Sequence, residues 1–267
     1  MGFRRLERVS SWRKLAASTW GGASDPTVYG TMEIDAAPAM ALVEKLRRET
    51  GVKVTITHLV GKAIALAFRD RPDLNGILRA GRIYLRDTID VFFQVAFEGG
   101  ENLSGAKVDR ADEKTVVEIA RELQERAQKI RSNDDPTLAR TVSMLNGMPV
   151  PVIGAAMRAI SFLSYDLGLD LSRFGLPYDA FGSVMVTNVG SFGVVHGYAP
   201  LVPFARSTAL LTIGAIVDKP VARDGSVVVR PIMTVGGTFD HRFIDGFQAG
   251  ILSKRFRELM EAPEMMV

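Results

Sequence analysis

The sequence predicts an α/β protein folded as a single domain, because strand-like and helix-like segments are mixed along its whole length. Residues 89–97 place an apolar side chain at every second position, as in a β-strand. Residues 113–130 repeat apolar side chains at helical spacing, as in an amphipathic helix. No internal repeat or low-complexity tract interrupts this mixture, so one domain accounts for the chain with the fewest assumptions.

The first quarter of the chain predicts one strand followed by two helices. Residues 27–34 have the pattern of a strand, and Asp35 can cap a helix that runs through residue 48. A second helix is predicted to begin at Thr57 and to stop before Pro72. His58 lies in the first turn of that helix, where we expect a surface or capping role and not a ligand.

Residues 137–180 have the least regular pattern in the chain. They hold apolar stretches, prolines and a mixed polar end, and they are too apolar for a flexible linker. We therefore expect a packed insertion with short helices there, which could act as a lid, a partner surface or an altered subunit contact.

The last third of the chain predicts three strands and a terminal helix. The strands are expected at residues 183–188, 209–217 and 227–235, and the turn Asp224-Gly225 joins the second to the third. A helix is predicted to begin at Asp245 and to end near residue 260.

Composition excludes several kinds of chemistry. The 267 residues include no cysteine, which excludes disulfides, thiolate metal sites and a cysteine nucleophile, and no metal is expected. No apolar run reaches the roughly 18 residues that span a bilayer. No signal peptide is recognisable, and nothing points outside the cell, so a cytoplasmic location is expected.

The net charge is mildly basic, at +3, with arginines concentrated near the N-terminus. The simplest interpretation is a solvated basic segment. A sharper one is attraction for an acidic partner such as coenzyme A or an acidic carrier domain. No motif for nucleic-acid binding is present, so that class of partner is not expected.

The strongest chemical motif is His241-Arg242-Phe243-Ile244-Asp245-Gly246, between the last predicted strand and the terminal helix. A histidine can exchange protons near neutral pH, and a nearby carboxylate can fix the geometry around it. The simpler alternative is a strand-to-helix turn in which Asp245 caps the helix and Gly246 permits the bend. His196 follows a glycine-rich loop and is expected at the surface.

A second motif is Thr187-Asn188-Val189-Gly190, at the end of a predicted strand. Together with Asp240-His241-Arg242 and the closing residues 259–263, it resembles the catalytic domain of the dihydrolipoamide acyltransferases. These are the E2 components of 2-oxoacid dehydrogenase complexes. The resemblance covers most of the chain, except roughly residues 137–180.

The resemblance implies a fold and an assembly. The family fold is similar to chloramphenicol acetyltransferase, a two-layer sandwich of a mixed sheet with flanking helices, assembled as homotrimers. The active site would lie between subunits, in a channel that coenzyme A and a dihydrolipoyl arm enter from opposite ends. In the family an apolar C-terminus docks into a neighbouring trimer and builds cubic or dodecahedral cores. The tail Met265-Met266-Val267 is expected to build a cubic 24-mer in this way, and the simpler alternative is a frayed chain end.

The resemblance also implies roles for individual residues. His241 would be the general base that takes the proton of the attacking thiol, and Thr187 would donate to the oxyanion, where the family mostly has Ser. Asp245 would organise the histidine loop, with Arg13 as a tentative partner. The flanking Asp240 and Arg242 are expected to be structural charges, and Asn188, Gly190 and Gly246 to shape the site.

The sequence departs from complete members of the family. It contains no lipoyl domain and no peripheral-subunit-binding domain, so another chain would supply the lipoyl group if the chain is stand-alone and not an excised domain. The Thr and the insertion leave activity and lipoyl specificity open. The sequence does not choose between acetyl, succinyl and branched-chain donors, because it does not identify the side chains that line the channel. One alternative is a catalytically weak or inactive scaffold core. Another is acyl transfer to a hydroxyl or an amine.

Overall fold

The computed structural model describes residues 25–97, 102–131, 149–174, 176 and 178–267. The strands in this part of the chain are β1 (Thr27–Asp35), β2 (Gly76–Arg79), β3 (Arg82–Leu85), β4 (Val91–Phe97), β5 (Asn102–Val108), β6 (Val184–Asn188), β7 (Ala209–Arg223) and β8 (Ser226–Asp240). The α-helices are α1 (Ala37–Thr50), α2 (Ile56–Arg69), α3 (Val116–Arg131), α4 (Val150–Ser161) and α5 (Gly246–Glu261).

Six strands form one mixed sheet in the order β1-β8-β7-β6-β4-β5, and β2 and β3 form a separate hairpin. The central pairs β4–β6 and β6–β7 are parallel, and the outer pairs are antiparallel. The strand β8 therefore runs opposite to β6, which places the end of β8 beside the start of β6 and β7. This polarity decides where the candidate site residues lie.

The helices cover one face of the sheet. Alternate residues of β6 point to opposite faces, and Val184 and Val186 join a single large core with side chains from α1, α2, α3 and α5. Met185 lies on the other face, with Ala205 and Leu210 in a smaller cluster. The predicted two-layer α/β class, a mixed sheet with flanking helices, is confirmed.

The contact between α2 and the sheet depends on one glycine. A Cβ at Gly61 would lie 2.1 Å from the ring of Phe93, which is 1% exposed, so the ring fills the space that a side chain would need. The helix thus approaches β4 closely, and truncating such a buried ring costs about 3–5 kcal/mol.

Two features escaped the sequence patterns. The hairpin β2–β3 was not predicted because every residue of β3 is exposed and no apolar alternation results. The edge strand β5 was not predicted either. Its centre is Gly105, a residue typical of loops, where a Cβ would lie 2.3 Å from the ring of Phe92.

Among its described residues, the predicted insertion contains α4, a π-helical turn (Phe162–Asp166) and a short 3-10 turn. Ion pairs attach it to the rest of the fold: Asp166 pairs with Arg206, and Asp179 pairs with Arg86 at 2.6 Å. Both pairs are largely buried. The Arg206 guanidinium beside Asp166 lowers the pKa of that carboxyl. The π-helical turn is packed, with Ser164 and Tyr165 buried, whereas none of residues 151–161 of α4 is buried.

The C-terminal residues fold back onto their own chain. Pro263–Met266 forms a 3-10 turn in which Met266 is 3% exposed and belongs to the main core, whereas Met265 and Val267 are exposed. In the described ranges, no helix has both the length and the apolarity to cross a membrane.

Candidate functional site

His241 is the first of the five residues, 241–245, that join β8 to α5. Its backbone N–H donates to the carbonyl of Pro26 at 2.8 Å, and its side chain is exposed. The imidazole makes no hydrogen bond or ion pair with another described residue. The backbone of His241 is therefore fixed while its ring stays available to a ligand.

The residues on either side of His241 are joined to each other. The Asp240 side chain is 7% exposed, and its Oδ1 accepts from the backbone N–H of Arg242 at 3.0 Å and from Nε of the same residue at 2.9 Å. Its Oδ2 accepts from Nη2 of Arg242 at 2.6 Å. The pair raises the pKa of Arg242, so the guanidinium stays charged. Both residues act as structural charges that close the turn around His241.

Asp245 caps α5. Its Oδ1 accepts from the backbone N–H groups of Phe247 and Gln248 at 2.8 and 3.2 Å, and the Gln248 side chain accepts from the Asp245 backbone at 3.0 Å. This is a capping box, which anchors the start of the helix. A Cβ at Gly246 would meet open space, so the turn itself does not require glycine. The proposed partner Arg13 lies outside the described residues.

Thr187 lies near the end of β6, half-buried on the face opposite the helices. Its hydroxyl makes no hydrogen bond within the described part of the chain. The next residue, Asn188, points to the helix side, where its amide donates to the hydroxyl of Thr57 at 3.0 Å. Thr187 is therefore the member of this motif that is left free to donate.

The turn after Thr187 is shaped by close backbone packing. A Cβ at Gly190 would lie 2.5 Å from the backbone of Gly214, and the side chain of Asn188 accepts from the N–H of Ser191 at 3.3 Å. Asn188 and Gly190 thus hold the loop against β7.

Within one chain, Thr187 and His241 lie beside opposite ends of β6. Thr187 pairs with Thr212 on β7, and Thr212 pairs with Gly236 on β8, which precedes His241 by five residues. Strand geometry places the two about 16 Å apart along the strands and about 10 Å apart across them. One chain therefore does not bring these two side chains together.

The other two histidines have different surroundings. His58 is largely buried, and its Nδ1 accepts from the Thr55 backbone N–H at 3.1 Å, which completes a capping box at the start of α2. Burial, with Arg47 nearby, lowers the pKa of His58 to about 4, so it is neutral at physiological pH. His58 therefore has the expected capping role, and His196 is exposed as expected.

A cavity of about 280 Å³ lies beside the His241 turn. It is lined by Leu78, Gly81, Asp166, Pro203, Arg206, Asp240, Arg242 and Phe243. Sequence reasoning identified the residues of the turn but missed Asp166 and Arg206, which come from distant parts of the chain and carry no local motif. We call this space the Arg206–Arg242 cavity.

A buried lysine, Lys62, was also missed, but its Nζ donates to the Asp112 carbonyl at 2.7 Å inside the fold.

The chain matches one family profile, described as 2-oxoacid dehydrogenases acyltransferase (catalytic domain), at residues 7–137 and 180–267. Residues 138–179, which include Asp166, fall between the two matched segments.

Curated relatives carry related names. The chain is 26% identical to the dihydrolipoyllysine-residue succinyltransferase component of the 2-oxoglutarate dehydrogenase complex of Saccharomyces cerevisiae, over 100% of this chain and 47% of that protein. It is 27% identical to the dihydrolipoyllysine-residue acetyltransferase component of the acetoin cleaving system of Bacillus subtilis, over 97% of this chain and 56% of that protein. The chain thus spans about half the length of these relatives.

Solved structures support the same fold. A probable dihydrolipoamide acetyltransferase from Listeria monocytogenes gives a TM-score of 0.65 at 22% identity, covering 97% of this chain and 95% of that one. The cubic core of a pyruvate dehydrogenase multienzyme complex gives 0.65 at 19% identity, covering 91% and 84%. The dihydrolipoamide acetyltransferase of Azotobacter vinelandii gives 0.64 at 19% identity, with the same coverage.

The profile accounts for more than half of the chain and includes both the strand end at Thr187 and the turn at His241. The resemblance inferred from those two motifs is confirmed. The chain belongs to the 2-oxoacid dehydrogenase acyltransferase family, in the part that is described as its catalytic domain.

Proposed function

We propose that this chain moves an acyl group between coenzyme A and a thiol of the dihydrolipoyl type, with coenzyme A as substrate and the lipoyl group supplied by another chain. Family membership supports acyl transfer, and the relatives named above are dihydrolipoyllysine-residue acyltransferases. His241 is the general base and Thr187 the oxyanion donor, each from a different copy of the chain.

The separation of Thr187 from His241 within one chain carries this proposal. Both side chains have polar atoms that no described neighbour engages, yet about 16 Å along the strands separates them. Neither serves the other within a subunit. A closed ring of copies, in which the end of β6 in one subunit faces the His241 turn of the next, would bring them together. The smallest ring that fits the family resemblance is a homotrimer.

The chemistry needs no covalent intermediate on the protein. The imidazole of His241 accepts the proton of the acceptor thiol, and the resulting thiolate attacks the thioester carbonyl carbon. The tetrahedral intermediate carries its negative charge on the former carbonyl oxygen, to which the Thr187 hydroxyl donates. Collapse breaks the bond to the coenzyme A sulfur, which takes the proton back from the imidazolium.

A study of the Azotobacter vinelandii relative concerns the role of one serine, one histidine and one asparagine in its catalytic mechanism. Here the hydroxyl belongs to Thr187, which keeps the donor but adds a methyl group and restricts χ1. Asp245 follows His241 by four residues and organises the turn by capping α5. The turnover of this chain is accordingly expected to differ from that of a serine enzyme.

Larger assembly would use the C-terminal tail. The cubic core of a pyruvate dehydrogenase complex shares this fold. Because Met266 is already buried in its own chain, a 24-mer would have to be built by the exposed side chains of Met265 and Val267. Deleting residues 264–267 is expected to leave trimers on sizing.

The test of the shared site is complementation between two inactive variants. Thr187→Ala and His241→Ala are co-expressed with different tags, and the mixed particles are purified through both. In a homotrimer, every mixed ring then holds one site in three with both groups intact. Acyl transfer from acetyl-CoA to dihydrolipoamide should therefore reappear in the mixed particles.

Particles of either variant alone are the matched controls and should stay inactive. A site contained within one chain would give no recovery in the mixture, because every copy would lack one of the two groups. That result, or substantial activity in the His241→Ala particles alone, would refute the proposed assignment.

A further inference from the structure

The Arg206–Arg242 cavity combines the His241 turn with the insertion that the family profile does not match. Asp240, Arg242 and Phe243 reach it from the turn, and Asp166 reaches it from the π-helical turn after α4. It therefore borders the turn that carries the proposed base, through Asp240 and Arg242 on either side of His241, and it is partly built from a segment that the family profile does not match. The mechanism above uses none of its lining side chains.

The hydrogen-bond acceptors in this cavity are nearly saturated. Asp166 accepts from the backbone N–H of Ala80 at 2.7 Å and from both terminal nitrogens of Arg206. Asp240 accepts from the backbone N–H, Nε and Nη2 of Arg242. Since a carboxylate offers about four acceptor positions, little capacity is left on either acid.

Donors, in contrast, remain available. Arg206 uses its terminal nitrogens for Asp166 and for the Leu78 carbonyl at 2.7 Å, and its Nε has no acceptor among the described residues. Nη1 of Arg242 likewise has none in that part of the chain. The cavity is therefore rich in donors, and a ligand group that only accepts hydrogen bonds would complement it.

The cavity is also held in a fixed shape. Ala80 and Arg206 adopt left-handed backbone conformations, with φ of 46° and 52°, which are unusual outside glycine. Such conformations persist where surrounding contacts determine them, and here the Asp166 carboxylate binds both residues. The Arg206 guanidinium is thus placed before any ligand arrives, and the Arg242 guanidinium is held by Asp240.

We propose that the Arg206–Arg242 cavity binds the terminal carboxylate of a dicarboxylic acyl group, such as succinyl, while its thioester lies at His241. The inference rests on the acyl transfer proposed above. A carboxylate fits because it accepts at two oxygens and matches the planar fork of a guanidinium. The far end of a short acyl chain is only a few bonds from the reacting carbon. The phosphates of coenzyme A are separated from that carbon by the whole pantetheine arm.

The test compares succinyl-CoA with butyryl-CoA, which has the same number of acyl carbons but no carboxylate. We expect the intact chain to favour succinyl-CoA in kcat/KM. Arg206→Lys keeps the charge but loses the fork, and it should lower the succinyl-to-butyryl ratio by about 10- to 100-fold, the usual value of a charged hydrogen bond. Arg242→Lys should also lower the succinyl-to-butyryl ratio. Because the Arg242 side chain is half exposed, this variant serves as the test if Arg206→Lys does not fold.

The matched control is Arg255→Lys, which alters an arginine whose ion pair with Asp70 is exposed and remote from the cavity lining. It should leave the ratio unchanged. An equal preference for both thioesters in the intact chain, or an unchanged ratio in folded Arg242→Lys, would overturn the proposal. The arginine variants could instead lose the same factor in kcat/KM with both thioesters, and removing the 3′-phosphate of coenzyme A could reproduce that loss. This result would place a phosphate in the cavity and would also overturn the proposal.

A binding measurement separates this inference from the proposed function. Free succinate at millimolar concentration should raise the Tm of the intact chain, and the neutral succinamide should not. Arg206→Lys or Arg242→Lys should abolish the shift. If the shift is present but no thioester is turned over, the cavity stands and the proposed function fails. If turnover occurs without either the shift or a succinyl preference, the cavity proposal alone fails.

Discussion

The starts of α2 and α5 use the same stabilising device but treat a histidine in opposite ways. At α2, the imidazole of His58 is itself part of the capping box, because its Nδ1 accepts from the Thr55 backbone. At α5, Asp245 and Gln248 form the box, and His241 lies just before it with its ring unengaged. Both helices begin with a capping box, but only the box at α2 includes a histidine side chain.

The difference has a chemical consequence. Burial lowers the pKa of His58 to about 4, so this residue can neither hold nor exchange a proton at neutral pH. The ring of His241 is exposed and its position is set through the backbone, by Pro26 and by the Asp240–Arg242 pair. The capping work at α5 is done by Asp245 and Gln248, which leaves the His241 ring open for the proton transfer that we propose.

Replacing His241 should lower turnover, whereas replacing His58 should lower stability. His241→Ala should lower turnover by about 10²- to 10⁴-fold, the usual contribution of a general base, with little change in stability. His58→Ala should leave the chemistry intact but lose a capping contact, which costs about 0.5–2 kcal/mol. Acyl transfer and thermal unfolding of both variants check this.

His58→Gln serves as the control for His58→Ala, because glutamine at this position can complete a standard capping box with Thr55. It should regain most of the lost stability. Normal turnover in His241→Ala, or a large loss of turnover in His58→Gln, would reverse the assignment of the two histidines.

The sequence identified the elements whose pattern reports burial. The alternation before Phe97 and the helical spacing after residue 113 both became core elements, whereas exposed β3 and glycine-centred β5 gave no pattern to detect. Apolar residues recur at a regular spacing only where one face of an element is buried. Elements that bury little therefore leave no pattern in the sequence.

The candidate site was predictable only in part for a similar reason. The motif at His241 and the strand end at Thr187 are local, and their spacing carried the family resemblance. The wall of the Arg206–Arg242 cavity depends on Asp166 meeting Arg206 across 40 residues. No local spacing encodes that contact, because it follows from how the insertion packs. The opposite placement of Thr187 and His241 likewise required the strand register.

The low pKa of His58 predicts a dependence of stability on pH. The folded state holds the ring neutral down to about pH 4, whereas the unfolded ring takes up a proton near 6.5. The contribution of this residue to stability is therefore complete above pH 6.5 and is lost as pH falls towards 4. The shift corresponds to about 3 kcal/mol at most.

Chemical unfolding of the intact chain and of His58→Gln between pH 7 and pH 4 measures the contribution of His58 to the free energy of unfolding. Glutamine keeps the cap and does not titrate, so the variant should lose less stability over that window. Identical pH profiles would show that His58 is not held neutral by the fold, and the contrast with His241 would then weaken.

The smallest expected effect concerns what Asp245 does for the His241 turn. If Asp245 acts through its hydrogen bonds to the first turn of α5, then Asp245→Asn should retain both stability and turnover, because asparagine is an equally good helix cap. Asp245→Ala should lose about 1 kcal/mol and loosen the turn. If the residue acts instead through its charge, as an ion pair with Arg13 would require, Asp245→Asn should lower turnover while leaving the free energy of unfolding nearly unchanged. Measuring kcat and unfolding in both variants separates a cap that positions the base from a charge that does so.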